Sequence, residues 1–324
     1  MERKNSIDLL RIISAVAIVV IHTVSTPVAY IPEDIDGNLW CNLYRIHTAL
    51  KWAVPVFFMI TGYCLLRKPG LTYKYIFTHV WKYVSVLFTV GLSYSLMAEF
   101  FEYRTITPSI FGQAVLNVIA GDLWDHMWYV YAIIGIYLVM PVIHRFMHQD
   151  RENGLILTAL LFVFHILIPA FEDFLPVGVQ LPFDGYLFYV CMGGLLAQQE
   201  LSKKWTAAIY LAGILALGWL LLFWGYWDLG YCHPVVCAMA VSVFLFVSRL
   251  NVKSGKLLLG LSACTWGVYL IHPFFINVAV KVLEIDVLTS YAYVKLLALL
   301  LAVLAVSFGG TYVLRKIPLM KKLF

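Results

Sequence analysis

The chain has 324 residues, 62% of them hydrophobic and 13% charged, with a mean hydropathy of +0.85. Soluble domains have about 45–50% apolar and about 25% charged residues, so this composition excludes one and specifies a multi-pass membrane protein. The formal net charge of +5 would suggest a nucleic-acid partner in a soluble chain; here membrane topology accounts for it, and no nucleic acid is expected.

The apolar runs are continuous and about 20 residues long, the length a bilayer requires. They lack the alternation of barrel strands, and backbone polar groups in lipid must be satisfied within the segment, so the fold class is all-α. In chain order, spans are predicted near 8–28, 46–66, 76–98, 126–146, 154–171, 184–200, 205–224, 230–249, 261–282 and 290–314, about ten in all. The connections alternate in charge. One set carries Arg3 and Lys4, Arg67 with Lys68 and Lys74, Arg145 and Arg151, Lys203 and Lys204, Arg249 with Lys253 and Lys256, and the tail residues Arg315, Lys316, Lys321 and Lys322. The other carries Glu33, Asp34 and Asp36, Glu99 and Glu102, Asp122 and Asp125, Glu172 and Asp173, Asp228, and Glu284 with Asp286. The Lys/Arg bias orients the chain and places both termini in the cytoplasm.

Glu2, Arg3 and Lys4 precede the first apolar run, but no cleavage site follows it, so the run is kept as a span. Trp40, Trp124, Trp128, Trp224 and Trp227 fall near predicted ends, as an interfacial belt does. The largest outer connection, near 99–125, contains Ile110–Ile119, a candidate short helix lying on or dipping into the membrane. With no inverted repeat and no loop long enough for a soluble domain, residues 1–324 read as a single transmembrane domain. The six cysteines show neither zinc spacing nor a redox pair and read mainly as small core residues. Cys41 and Cys232 both fall on the outer side, where a disulfide is the alternative.

Arg11 and His22 stand in the first span with ten residues between them. That spacing points their side chains within about 20° of each other and about 16 Å apart along the axis. A charge at mid-helix costs about 2.5–3.5 kcal/mol, so such residues are functional candidates by default. The bland reading is that Arg11 snorkels to the headgroups and His22 bonds a neighbouring helix. Two polar groups on one face favour a lined pocket instead, and a neutral imidazole can serve as general base near pH 7. Asp8 is spaced to pair with Arg11.

Further signals follow along the chain. Pro55 removes a backbone hydrogen bond, and Thr61-Gly62 permits close helix approach. Trp128 and Tyr131 open an aromatic-rich span that ends at Pro141. His272, in Tyr269-Leu270-Ile271-His272-Pro273, lies at mid-span. Lys82 falls in the inner half of the third span, placed to snorkel or to meet an anion. Each has an ordinary packing explanation when taken alone. The remaining histidines show no zinc-ligand spacing, so no metal is expected.

Taken together and in order, these motifs resemble the acyltransferase-3 family of integral-membrane acyltransferases. The carriers are Ser6-Ile7-Asp8-Leu9-Leu10-Arg11, the Arg-x10-His first span, and Phe57-Phe58-Met59-Ile60-Thr61-Gly62-Tyr63. The Trp128-Tyr129 span and Tyr269-Leu270-Ile271-His272 complete the set. The likeness covers nearly the whole chain. It implies a ten-helix core, acetyl-CoA as acyl-donor cosubstrate and a hydroxyl of a surface-polysaccharide or lipid-linked sugar as acceptor. It also implies a multi-pass O-acetyltransferase of the bacterial inner membrane. His22 matches the family's essential histidine and Arg11 its arginine, with Arg11 and Lys82 expected at the coenzyme phosphates. Asp8, Thr61, Trp128, Tyr131 and His272 are pocket candidates. The chain departs in having Thr61 where serine is frequent, which keeps a hydroxyl. The basic cluster after the second span is reduced to Lys74 and Lys82. The compact form is also similar to the membrane part of the vancomycin-resistance serine racemases. A transporter for a small polar solute such as serine is therefore the rival expectation, and a sensor or assembly subunit a third.

Overall fold

The computed structural model describes residues 3–30, 36–103, 107–171, 185–198, 201–223 and 229–324. The predicted acidic positions Glu33, Asp34, Glu172, Asp173 and Asp228, and the belt residues Trp224 and Trp227, lie outside them. The described residues are helical: α1 Asn5–Tyr30, α2 Gly37–Leu50, α3 Ala53–Leu65, α4 Tyr73–Val86, α5 Leu92–Tyr103, α6 Pro108–Ala120 and α7 Trp128–Gln149. There follow α8 Arg151–Phe162, α9 Ile168–Ala170, α10 Tyr186–Gln198, α11 Lys203–Phe223, α12 Pro234–Ser248, α13 Lys256–Asn277 and α14 Ala292–Leu314. Single π-turns at Leu87–Gly91 and Val163–Leu167 join α4 to α5 and α8 to α9, and a third at Val278–Val282 extends α13.

Among the described residues, eight helical stretches are long and apolar enough to cross a membrane. They are Asn5–Tyr30, Gly37–Leu65, Tyr73–Phe100, Trp128–Gln149, Glu152–Ala170, Lys203–Phe223, Lys256–Val282 and Ala292–Leu314. Each falls on a predicted span. The other two predicted spans coincide with the shorter apolar helices Tyr186–Gln198 and Pro234–Ser248. The predicted short helix at Ile110–Ile119 is α6. Thr107 caps its start by accepting from the Ile110 amide, and Gly121, at φ +81°, ends it in the left-handed region that glycine enters without a Cβ penalty.

The chain divides into two compact units. The first comprises residues 1–68 and 152–314 and is built around α1, which packs on α2, α3, α12, α13 and α14. Leu10, Val19, Val268 and Ile276 are fully buried there. The amino end of α1 is tied down as well: Asn5 Nδ2 donates to Val252 O and Ser6 Oγ to Ser248 O, each at 3.0 Å. The outward faces of α11 and α14 stay apolar, with Ile214, Leu222, Val294 and Leu301 exposed, as lipid-facing helices require.

The predicted span 46–66 is broken at Lys51-Trp52: its second part is α3, and its first part is the end of α2, which begins at Gly37 in the predicted outer connection. Proline at 55 has no amide to bond the Lys51 carbonyl four residues earlier, so the helix gives way there. α3 and α10 then cross with their backbones in contact. A Cβ built on Gly62 would sit 1.8 Å from the Val190 carbonyl oxygen, and one on Gly193 would sit 2.1 Å from that of Met59. The close approach read from Thr61-Gly62 is this crossing, and only glycine fits it. None of the six cysteines forms a disulfide, so the Cys41–Cys232 alternative is not realised.

The second unit comprises residues 69–151 and 315–324, with α4 packed on α7 and α5 on α6. Asn117 on α6 donates to Ser95 Oγ at 3.3 Å and to Glu99 Oε1 at 3.0 Å on α5.

Candidate active site

Two polar clusters join α1 to α13. The first surrounds Asp8, whose carboxylate is fully buried. Arg3 grips it through two bonds, Nε to Oδ2 at 2.6 Å and Nη2 to Oδ1 at 3.0 Å. Arg11 Nη1 donates to Oδ1 at 3.1 Å, and Ser262 Oγ of α13 donates to the same oxygen at 2.7 Å. A buried carboxylate is tolerated only when paired and hydrogen-bonded, and Asp8 meets both conditions. The bond to Asp8 pushes the already high pKa of Arg3 further up. Arg11 is thereby held by its own helix on one side, while Nη2 reaches across to Cys64 Sγ on α3 at 3.3 Å. Its side chain remains 32% exposed. The predicted Asp8–Arg11 pair is present, enlarged by Arg3 and Ser262.

The second cluster lies fourteen residues along α1, about 21 Å by helical rise. His22 Nδ1 and His272 Nε2 are 2.7 Å apart, and the two rings are nearly parallel, 16° between planes, with centroids at 5.0 Å. His272 is fully buried, and its Nδ1 lies 2.9 Å from the Val268 carbonyl oxygen. That oxygen can only accept, so Nδ1 of His272 carries a proton and donates. With both rings neutral, Nε2 of His272 is then the acceptor and His22 donates from Nδ1. This tautomer puts the basic lone pair of His22 on Nε2. The arrangement has the logic of an oriented base: a carbonyl fixes one imidazole, which fixes the next. α1 and α13 run in the same direction, since Asp8 meets Ser262 near one end and His22 meets His272 further along.

An aromatic cavity of about 240 Å³ opens beyond His22, lined by Val24, Ser25, Val28 and Ala29 of α1 with Trp40, Leu43, Tyr44 and His47 of α2. Ser25 and Ala29 follow His22 by three and seven residues, which places them within about 60° and 20° of its direction on the helix. The Trp40 and Tyr44 rings stand 4.5 Å apart.

The other predicted residues are dispersed. Thr61 is half-buried beside the α3–α10 crossing, and its hydroxyl donates back to Phe57 O at 3.1 Å. Lys82, Trp128 and Tyr131 belong to the second compact unit. Lys82 is half-buried on α4 without a carboxylate partner among the described residues, and Trp128 sits edge-on to Tyr129. Tyr131 donates from its hydroxyl to Val118 O and so ties α7 to α6.

Lys51 is the residue that sequence reasoning missed. It is buried at the α2–α3 break, where Nζ donates to Leu229 O at 2.8 Å and lies 5.6 Å from the centre of the Tyr231 ring. A lysine inside the predicted span 46–66 is the same kind of signal as Arg11, and Pro55 four residues later marks the break that accommodates it.

A helical bundle of apolar spans with two hydrogen-bonded histidines and a carboxylate-fixed arginine along α1 defines a membrane protein with a polar seam inside its bundle. The acyltransferase-3 family model, described as an acyltransferase domain, matches residues 4–316, and the chain belongs to that family. It is also similar to an amino-acid racemase of Enterococcus faecalis, 36% identical over 144 residues. That match covers 42% of this chain and 19% of the racemase, so it bears on a part of each. No solved structure matches the chain.

Proposed function

We propose that the protein is an O-acetyltransferase of the bacterial inner membrane. In this reading it moves an acetyl group from acetyl-CoA to a hydroxyl of a surface-polysaccharide or lipid-linked sugar. The observation that carries the reading is the Val268–His272–His22 relay, because it directs the His22 lone pair to one nitrogen, Nε2.

In the proposed step, Nε2 takes the proton from the acceptor hydroxyl as its oxygen attacks the thioester carbonyl. The carbon–sulfur bond then breaks, and the proton passes from His22 to the departing thiolate. Acetyl ester and free coenzyme thiol leave, and His22 returns to its starting state. Arg11, fixed by Asp8, serves the donor from the cytoplasmic side, since a guanidinium suits phosphate oxygens. The acceptor enters from the opposite side, where Trp40 and Tyr44 offer ring faces to a sugar. The same proposal includes ten membrane-crossing helices in a single functional domain, both termini in the cytoplasm, Lys82 at the donor phosphates and Trp128 and Tyr131 toward the acceptor.

The test is purified protein in nanodiscs with radiolabelled acetyl-CoA and a lipid-linked glycan acceptor. Labelled acceptor from the native protein, and none from His22→Ala of equal yield, supports the reading. Solute flux across proteoliposomes without acetylation would replace it with the carrier alternative.

A further inference from the structure

The sequence sets four cations at three separate places: Arg3 and Lys4 before α1, Arg67 just past α3, and Arg249 just past α12. In the fold they line one cavity of about 890 Å³, whose walls include Tyr63, Gln198 and Ser248. The start of α1 opens into it through Asn5 and Ser6. The amide end of a 26-residue helix adds partial positive charge at the same place.

Like charges do not gather without a reason. Arg3 is neutralised by Asp8. Among the described residues, Lys4, Arg67 and Arg249 have no carboxylate partner. Arg67 donates to the Tyr63 hydroxyl and stacks on its ring, with the guanidinium carbon 4.7 Å from the centroid. Arg249 donates to Thr206 Oγ1 at 2.9 Å. Both are thus held by neutral groups that leave their charge uncompensated. Burial, then Arg67 and Arg249, push the pKa of Lys4 down, the expected effect of neighbouring cations on an ammonium. Glu200, beside Leu201 of the wall, lies outside the described residues. The carboxyl ends of α3 and α12 account for one cation each through their dipoles. They do not account for Lys4, or for a cavity of this size between the charges.

We propose that this cavity binds a phosphate-bearing group with more than one negative charge, held by Lys4, Arg67 and Arg249. Two sources share that chemistry, a soluble nucleotide phosphate and an anionic phospholipid headgroup. The acyl-donor reading above, on which this choice of source rests, favours the nucleotide. Lys4 and His22 are about 27 Å apart by helical rise. A coenzyme thioester carries its phosphates at one end and its reactive carbon at the other, as a donor serving both places must. Cys64, the Arg11 partner on α3, follows Tyr63 of the cavity wall.

The probe is adenosine 3′,5′-bisphosphate, titrated calorimetrically into the full-length protein in phosphatidylcholine nanodiscs. Binding is expected to weaken about tenfold in Lys4→Gln, with larger losses in Arg67→Gln and Arg249→Gln, and to weaken as salt rises. Lys4 makes no side-chain hydrogen bond among the described residues, so its variant tests charge without disturbing the fold; Arg67→Lys and Arg249→Lys control for the other two. Should the bisphosphate fail to bind, native mass spectrometry from mixed nanodiscs provides the second arm. Phosphatidylglycerol retained by the native protein and lost from the same variants assigns the site to a lipid. If neither ligand responds to the three substitutions, the proposal is overturned. Bisphosphate binding that persists in His22→Ala, with no acetyl transfer by the native protein, keeps this site and removes the acyltransfer reading. Intact transfer with an unchanged donor KM in all three variants does the reverse.

Discussion

Two helix pairs in the first unit are joined in opposite ways. α3 and α10 meet through absence: Gly62 and Gly193 remove side chains so that two backbones touch. α1 and α13 meet through groups that are expensive in lipid, the Asp8–Ser262 bond and the His22–His272 bond. Small residues are the cheap way to pack helices in a bilayer, where dispersion and close approach hold them together. The glycine crossing therefore needs no function to explain it. The polar seam does, because apolar side chains would join α1 to α13 at lower cost. The comparison separates a packing device from a chemical one within a single bundle.

The sharpest way to break it is at His22. His22→Ala is expected to reduce acetyl transfer by about 10²-fold or more while the protein still inserts and purifies at normal yield. Full activity would reduce the polar seam to another packing device. His272→Ala is expected to cost about 10- to 100-fold in kcat with little change in KM, since it removes the group that sets the His22 tautomer. His272→Gln should recover part of this, because its amide oxygen can accept from His22 Nδ1. Equal losses in Ala and Gln would mean that His272 acts only by filling space.

At the other seam the expected readout is stability. Gly62→Ala and Gly193→Ala should each lower thermal stability in detergent, by about 1–3 kcal/mol, because the added methyl must push two backbones apart. The double variant should cost less than the sum, since one displacement relieves both clashes. Gly70, with open space around it, is the control and should tolerate alanine. Unchanged melting in both crossing variants would show that α3 and α10 can separate freely.

Asp8→Asn keeps the shape and removes the charge. It should destabilise by only about 1 kcal/mol, because Arg3 is 57% exposed and solvent takes over much of its partner's role. Its larger effect should be a raised donor KM as Arg11 loses its anchor. The smallest effect concerns Asp286, in the connection between α13 and α14. Bonds from the Thr289 hydroxyl, the Leu288 and Thr289 amides and Lys295 hold its carboxyl at about 2, down from 3.8. A depressed carboxylate contributes stability above its unfolded pKa and loses it as pH falls through the folded value. Loop order should therefore fade between about pH 4 and pH 2, and hydrogen exchange at Leu288 and Thr289 should report it. Exchange that is flat across that window would remove the capping role.

Much of this was readable in the chain because lipid imposes a simple code. Apolar runs of fixed length mark the spans, and each of the eight long helices falls on one of them. A proline at 55 and a glycine at 62 report local backbone events, and the break at Lys51-Trp52 and the crossing at Val190 follow directly. Arg11 and His22 stood out because polar groups in an apolar helix are costly. What periodicity cannot supply is the partner. Nothing in the spacing of residues 8, 22, 262 and 272 says that α13 lies beside α1 and runs the same way. Lys51 shows the same limit from the other side, since a lone lysine in a span gives no hint of the Leu229 carbonyl that receives it.

The sequence by itself determined that this is an all-helical membrane protein, where its spans lie and which side chains are too costly to be incidental. Transfer free energies are properties of single residues and need no neighbours. The tertiary structure decided that His272 orients His22, that Asp8 gathers Arg3, Arg11 and Ser262, and that four cations from three separate segments surround one cavity. Hydrogen bonds and ion pairs are properties of pairs, and in this chain the pairs are formed by residues up to 254 positions apart.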